Sequence, residues 1–158
     1  MSVQEHVQAV LDQVRAAAIA AGRRPEEITL CAATKVQTDE TIRQAIAAGI
    51  TVCGENRVQE LTAHLAANAY EGASVHFIGH LQSNKVRSVI DKVSMIQSVD
   101  RLSLLKEIDR CSIEAGKIMP ILIEVNIGGE ESKSGVMPEQ LEDFTAIAAQ
   151  FSGVKVCG

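Results

Sequence analysis

The sequence predicts an α/β fold, a parallel (β/α)8 or TIM-type barrel that is incomplete here, with about five to six βα units. Three observations favour this class. Strand-like and helix-like segments alternate along the 158 residues, the loops between them are short, and the segment 119–127 alternates apolar with polar side chains. Such alternation is typical of parallel sheets with right-handed crossovers. A doubly wound sheet shows the same alternation and is therefore the competing architecture.

The first βα unit shows its boundaries in the sequence. Ser2 and Glu5 have the spacing of a capping box, and Gly22 ends the amphipathic helix that they start. The strand ITLCAATK (28–35) follows, and Thr38 is placed to cap the next helix. The same alternation then recurs, and further strands are predicted at 50–54, 74–79, 94–99, 119–127 and from 154 onward.

Capping residues also predict where the later helices start. Ser83 should cap the helix in SNKVRSVIDKV, and Asp100 should cap a helix that runs to Gly116. Pro138 should open a last helix that continues to Gln150.

The parity of the strand at 119–127 favours the barrel over the doubly wound sheet. Its isoleucine and valine residues share one face, whereas Leu122, Glu124 and Asn126 share the other. A doubly wound sheet has helices on both faces, so both faces should be apolar. The interior of a barrel can become polar near its catalytic mouth. We therefore expect Glu124 and Asn126 to point into a barrel.

The barrel predicted here is shorter than a complete one, which has eight strands and typically about 250 residues. The sequence supplies five strands and the start of a sixth, and it stops within the apolar segment VKVCG. Unpaired strand edges are aggregation templates unless they are covered. We therefore expect residues 1–158 to be a single barrel domain whose C-terminal part is missing.

Composition excludes several classes of function. With 15 Lys and Arg against 20 Asp and Glu, the net charge of -5 disfavours a nucleic-acid partner. No apolar run approaches the roughly 20 residues that span a membrane, and the N-terminus lacks a signal-peptide pattern, so a cytoplasmic location is expected. Four widely separated cysteines indicate no metal site. Cys111 is expected to be the most exposed of them.

Lys35, at the end of the first strand, is the main candidate for a functional residue. Strand parity places the small residues Cys31 and Ala33 on its face, which leaves room beneath the amine. Active sites of barrels lie at the carboxyl ends of the strands. Desolvation there would favour the neutral amine, which can attack a carbonyl and form a Schiff base. The alternative interpretation is an ordinary surface lysine at a strand end.

A family resemblance covers the chain from about residue 5 to 158. It is carried by the motifs AATK (32–35), GENRVQEL (54–61), HFIGHLQSNK (76–85), SVDR (98–101) and ESKSG (131–135). In this order they resemble the pyridoxal phosphate (PLP) homeostasis protein family, which is related to the barrel domain of alanine racemase. The resemblance implies that Lys35 carries PLP as a Schiff base and that residues 1–158 form one PLP-binding domain.

The resemblance also assigns roles to residues around Lys35. It implies that the amide of Asn56 hydrogen-bonds near the PLP ring; the alternative is that Asn56 caps the following helix. Glu55 has the opposite strand parity and is expected to serve the helix start. Gly79 allows close backbone approach to a ligand or a tight turn, and His80 is a weaker candidate for contact with the cofactor.

The loop GGEESKSG (128–135) resembles a phosphate cradle only in its composition. In the family, phosphate is held by later motifs of the types SMGMS and R-x-G, which do not occur in this sequence. We therefore expect the phosphate ligands beyond residue 158. Lys133 and Ser134 are expected to order the barrel rim or to meet a bound ligand.

Three functions of different classes fit these residues. The first is a PLP-binding homeostasis protein with no substantial reaction of its own, no catalytic residues, and apo-enzymes as acceptors of the cofactor. The second is an amino-acid racemase, which in the related alanine racemase needs a tyrosine from a second domain. Tyr70 is the sole tyrosine, at the far end of the helix after the second strand, so this alternative is disfavoured. A Schiff-base aldolase is a distant third.

Overall fold

The structure, a computed structural model, describes all residues from Met1 to Gly158. Six helices alternate with six strands. The helices are α1 (Val3–Ala20), α2 (Asp39–Ala47), α3 (Val58–Ala66), α4 (Val86–Val89), α5 (Leu102–Glu114) and α6 (Leu141–Ala148). The strands are β1 (Cys31–Ala33), β2 (Val52–Glu55), β3 (Ser74–Phe77), β4 (Met95–Val99), β5 (Met119–Ile123) and β6 (Val154–Val156). None of the helices combines the length and the apolar character that crossing a lipid bilayer requires.

The six strands form one sheet whose spatial order, β1-β2-β3-β4-β5-β6, is also their order along the chain. Cys31 of β1 pairs with Val52 of β2, and Met119 of β5 pairs with Val154 of β6, both in parallel. A doubly wound sheet reverses its strand order at a switch point, and this sheet has no reversal. The predicted α/β class is confirmed, with six of the eight strands of a complete (β/α)8 barrel.

The chain forms two compact units. The first comprises Met1–Glu55 and Gln59–Val75, and the second comprises Asn56–Val58 and His76–Gly158. The single domain expected over residues 1–158 therefore stays a prediction. In the first unit α1 packs on α2, and in the second α5 packs on α4, β5 and β6.

Each unit has its own apolar core. Ile42 and Leu61 are buried in the first unit, and Ile96, Ile108 and Ile121 are buried in the second. Full burial of such a side chain contributes about 1.5–3 kcal/mol by removing it from water. The helix-facing sides of the strands are therefore well packed.

The capping predictions for the first two helices are confirmed. The Glu5 backbone N–H donates to Ser2 Oγ at 3.2 Å, and the Ser2 backbone N–H donates to Glu5 Oε2 at 2.6 Å. Thr38 Oγ1 accepts a hydrogen bond from the Thr41 backbone at 3.2 Å. Gly22 follows α1 with a φ of 69°, the left-handed conformation that terminates helices.

The predictions for the later helix starts were wrong in detail. Ser83 begins a 3₁₀ turn, Ser83–Lys85, and no side chain caps it. Asp100 does not cap α5, because the N-cap position falls on Arg101, one residue later, and no side chain caps the helix. The Asp100 carboxylate instead pairs with the guanidinium of Arg101 at 2.7 Å. Pro138 likewise opens a 3₁₀ turn, and the helix after it ends at Ala148.

The exposure predicted for the cysteines was also wrong. Cys111 is only 2% exposed, because it lies on the face of α5 that packs inward, whereas Cys157 is exposed.

Candidate functional site

Lys35 lies two residues beyond the end of β1. Its side chain and that of Ala33 are exposed and Cys31 is half-buried, whereas Thr34 between them is buried. Over residues 33–35 this alternation agrees with the predicted parity, whereas Cys31 and Ala32 are both half-buried, so the face of Cys31 stays a prediction. The desolvation expected for Lys35 is not observed, since the amine lies on the exposed side of the strand end.

The backbone turns sharply after Lys35. Val36 has a φ of 62°, a left-handed conformation that is a genuine outlier for a β-branched residue. Its side chain is 86% exposed, so packing does not explain the conformation. Its backbone N–H donates to Glu60 Oε2 at 3.4 Å. Strain of this kind costs about 1–3 kcal/mol and clusters at functional sites.

Asn56 occupies the corresponding place after β2. Ala33 pairs with Gly54, and Lys35 and Asn56 each come two residues later in the sequence. The Asn56 Oδ1 atom is buried and has no hydrogen-bond partner. The alternative interpretation, in which Asn56 caps α3, is therefore wrong, because a cap requires this oxygen to accept a backbone hydrogen bond.

Gly79 allows its backbone to approach another part of the protein closely, rather than a ligand. A Cβ at this position would lie 2.3 Å from the Asn56 carbonyl oxygen and 2.6 Å from the Asn56 Cα. No side chain fits there, so Gly79 lets the segment after β3 pack directly against the backbone that carries Asn56.

Glu55 takes part in a buried polar cluster that the sequence did not reveal. Its exposure is 0%, and it does not serve the helix start as predicted. Oε1 accepts hydrogen bonds from Thr34 Oγ1 at 2.5 Å and from the Tyr70 hydroxyl at 2.7 Å. The signal available in the sequence was parity: Glu55 shares the helix-facing side of β2 with buried Cys53, where an acid needs donors.

His64 and Asp39 extend this cluster towards the helices. His64 Nδ1 lies 2.6 Å from Asp39 Oδ1, and Nε2 lies 3.9 Å from Glu55 Oε1. The ring of His64 meets that of Tyr70 edge to face, with 5.8 Å between centroids. Burial and the acceptor Glu55 raise the pKa of Tyr70 above its ordinary range. The Tyr70 hydroxyl is therefore a fixed donor.

A second polar group lies at the ends of β3 and β5. Burial and the neighbouring Asp100 raise the pKa of Glu124, and the charge of His80 opposes them in part. His80 Nδ1 lies 3.3 Å from Ser134 Oγ. These interactions agree with the prediction that Glu124 points away from the helix-facing side, where Ile121 is buried.

Asn126 holds the loop that contains ESKSG. Its Nδ2 donates to the carbonyl oxygen of Glu130 at 2.9 Å and to that of Lys133 at 3.4 Å. Gly135 has a φ of 121°, and a Cβ there would lie 2.5 Å from the Asn126 backbone nitrogen. Of the two roles expected for this loop, the contacts support the ordering of the strand ends.

Comparison with known proteins places the chain in a broad family. Residues 6–158 match the family model described as alanine racemase, N-terminal domain. The chain is 39% identical over 158 residues to the pyridoxal phosphate homeostasis protein of Aquifex aeolicus, and the match covers 100% of this chain and 69% of that protein.

Two solved structures resemble the chain closely. A protein of unknown function from Bifidobacterium adolescentis has a TM-score of 0.91 and 35% identity, with 99% of this chain and 67% of that one covered. PipY of Synechococcus elongatus PCC7942, solved with PLP bound, has a TM-score of 0.78 and 28% identity, with 99% and 68% covered. This chain thus spans about two thirds of the length of these relatives.

Proposed function

Because this chain belongs to the pyridoxal phosphate homeostasis protein family, we propose that it binds PLP as a Schiff base on Lys35 and serves intracellular vitamin B6 homeostasis. The observation that carries the proposal is the position of Lys35. It follows β1 on the face of Cys31 and Ala33, at the carboxyl end of a parallel strand, where barrels build their sites.

The residues around the two strand ends fit this cofactor. Bound PLP supplies an aldehyde on an electron-withdrawing ring. The exposed amine of Lys35 can bond through its nitrogen to the aldehyde carbon, and the aldehyde oxygen leaves as water. Asn56 adds a side chain whose buried Oδ1 has no hydrogen-bond partner within the chain, and we assign this amide to the cofactor as part of the proposal.

A carrier role, without substantial turnover of amino acids, is part of the proposal. Racemisation needs proton transfer on both faces of the cofactor. The sole tyrosine, Tyr70, is only 5% exposed, and its hydroxyl is committed to Glu55. The partners proposed are PLP and acceptor apo-enzymes, with neither nucleic acid nor membrane. The cytoplasmic location expected from the sequence stays a prediction.

The proposal is tested by trapping the cofactor. The 158-residue protein is incubated with PLP and reduced with borohydride, and the adduct is located by intact mass and peptide mapping. We expect one pyridoxyl group on Lys35, absent from Lys35→Ala and retained in the control Lys85→Ala. An adduct of undiminished yield on another lysine in Lys35→Ala would show that the assignment is wrong.

A further inference from the structure

Glu55 carries a carboxyl group in the protein interior, where burial of an acid is energetically unfavourable. Its side chain is fully buried, one carboxyl oxygen accepts two hydroxyl hydrogen bonds, and the other, Oε2, has no partner. Burial of a carboxyl group opposes folding unless its hydrogen bonds compensate for lost water, so packing alone does not account for the residue. Its contacts point to another role.

The first hydroxyl donor belongs to Thr34, the residue before Lys35. Thr34 Oγ1 lies 2.5 Å from Glu55 Oε1. The Thr34 backbone N–H donates to the Gly54 carbonyl oxygen at 3.0 Å, and the hydroxyl also lies 3.3 Å from it. Thr34 is thus anchored to the last two residues of β2 through both backbone and side chain.

The residue after Lys35 is anchored to a second acid. Val36 is held at a positive φ, and its backbone N–H donates to Glu60 Oε2. The Lys35 backbone therefore lies between two neighbours that each contact a glutamate, one buried and one half-buried. Such an arrangement fixes the place and the direction in which the Lys35 side chain leaves the backbone.

Tyr70 and His64 hold the carboxyl group of Glu55 in turn. The Tyr70 hydroxyl shares the Oε1 acceptor with Thr34, and the His64 ring lies against Tyr70 and near the same oxygen. Asp39, the first residue of α2, is bonded to the far side of His64. The carboxyl group is therefore held by hydrogen bonds from the residue after β1 and from the segment between α3 and β3, with the His64 ring of α3 beside it.

We propose that Glu55 is a positioning residue, which fixes Thr34 and so sets the orientation and the reactivity of the Lys35 amine. The reactivity part of this proposal rests on the proposed function. The positioning part concerns the chain alone and is measurable without cofactor.

The test uses four variants. Glu55→Leu removes the acceptor of the Tyr70 hydroxyl and the shorter of the two acceptor contacts of Thr34, whose hydroxyl keeps only the Gly54 carbonyl oxygen at 3.3 Å. Glu55→Gln keeps an amide oxygen at the same place. Thr34→Val removes the hydroxyl group at nearly constant shape and serves where Glu55→Leu does not fold. Ile42→Val is the matched control, because it loosens the core of the same unit without touching Glu55 or its hydrogen-bond partners.

The first readout is hydrogen exchange in the absence of PLP. The amides of Thr34, Val36 and Gln37 are all hydrogen-bonded in the structure. We expect Glu55→Leu and Thr34→Val to accelerate their exchange at least about tenfold relative to β2, the equivalent of about 1.4 kcal/mol, and Glu55→Gln to restore protection. Unchanged exchange in Thr34→Val, or the same acceleration in Ile42→Val, overturns the positioning role.

The second readout is the rate at which PLP becomes trapped on Lys35. We expect a slowing of roughly three- to tenfold in Thr34→Val, the range of one lost hydrogen bond, and none in Glu55→Gln or Ile42→Val. Equal rates in Thr34→Val and the wild type overturn the link to reactivity. If the wild type traps no PLP on Lys35, the proposed function and the reactivity claim fail together, while the exchange data still decide the positioning role.

Discussion

At the scale of single residues, the candidate site depends on the neighbours of Lys35 in the sequence. Lys35 is exposed, yet its neighbours are fixed on both sides, Thr34 by Glu55 and Val36 by Glu60. An amine with a fixed backbone loses less conformational freedom when it bonds to a ligand.

Glu124 provides a prediction of pH dependence at this scale. Its pKa is raised in the folded state by burial and by Asp100, so the ionised carboxylate is less favourable in the folded protein than in the unfolded chain. The destabilisation is present above the folded pKa and disappears as the pH falls below the ordinary carboxyl value of about 4.3. Glu124→Gln should therefore have a higher Tm than the wild type at pH 7, and the difference should vanish near pH 4.

The measurement is a thermal melt over this pH range, with Glu139→Gln, a change at an exposed carboxyl group, as the control. A Tm difference for Glu124→Gln that grows towards low pH would contradict the prediction.

At the scale of elements, β2 has two faces with separate tasks. Cys53 and Glu55 face the helices. Burial raises the pKa of the Cys53 thiol to about 11, with further contributions from the nearby Cys31 and Glu55. Gly54 has the opposite parity and pairs with Ala33. The face of Cys53 and Glu55 packs against the helices and holds the strand in place. Asn56, two residues after Gly54, has the parity of the opposite face.

The close contact between Gly79, after β3, and the Asn56 backbone, after β2, predicts that even an added methyl group at Gly79 destabilises the protein. Gly79→Ala places a methyl group within 2.3 Å of the Asn56 carbonyl oxygen, so the backbone must move. Overpacking of this kind costs about 1–3 kcal/mol, and we expect a loss of stability in this range in urea unfolding, together with weaker PLP binding because Asn56 is displaced. Gly128→Ala is the matched control, since its new Cβ would meet only Glu130 side-chain atoms at 3.5 Å or more. Equal stability of the two variants would contradict this account.

At the scale of the whole chain, each of the two units carries candidate residues just after the carboxyl ends of strands. In the first unit Lys35 follows β1, and in the second His80, Asp100 and Glu124 follow β3, β4 and β5. Barrel proteins build their sites at the carboxyl ends of their strands. Within the first unit the Tyr70 hydroxyl is committed to Glu55, on the helix-facing side of β2.

This arrangement predicts that the protein does not turn over amino acids at enzymatic rates. Incubation with PLP and L-alanine should yield D-alanine far more slowly than about 1 per second, the lower end of ordinary turnover, because Tyr70 cannot act as a second base. Chiral chromatography of the products checks this, with an alanine racemase as the positive control. Turnover at ordinary rates that Tyr70→Phe abolishes would refute both the carrier role and the fixed role of Tyr70.

Local chemistry in the sequence was enough to predict the α/β class, the caps at Ser2 and Thr38, and the face of β1 that carries Lys35. Each of these depends on residues a few positions apart, whose spacing along a helix or strand is set by backbone geometry. Family membership also followed from short motifs. The same reasoning failed for Asp100, because the helix begins one residue later than predicted and its N-cap position falls on Arg101.

Only the tertiary structure showed what Glu55, Tyr70 and Gly79 do. Glu55 meets Thr34 across 21 positions of sequence and Tyr70 across 15, and Gly79 meets the backbone of Asn56 from the next strand end. Such contacts depend on strand register and on the packing of helices against the sheet, which no local pattern encodes. In the sequence, a buried acid cannot be distinguished from an acid at the start of a helix. Its role depends on the hydrogen-bond donors that folding brings next to its carboxyl group.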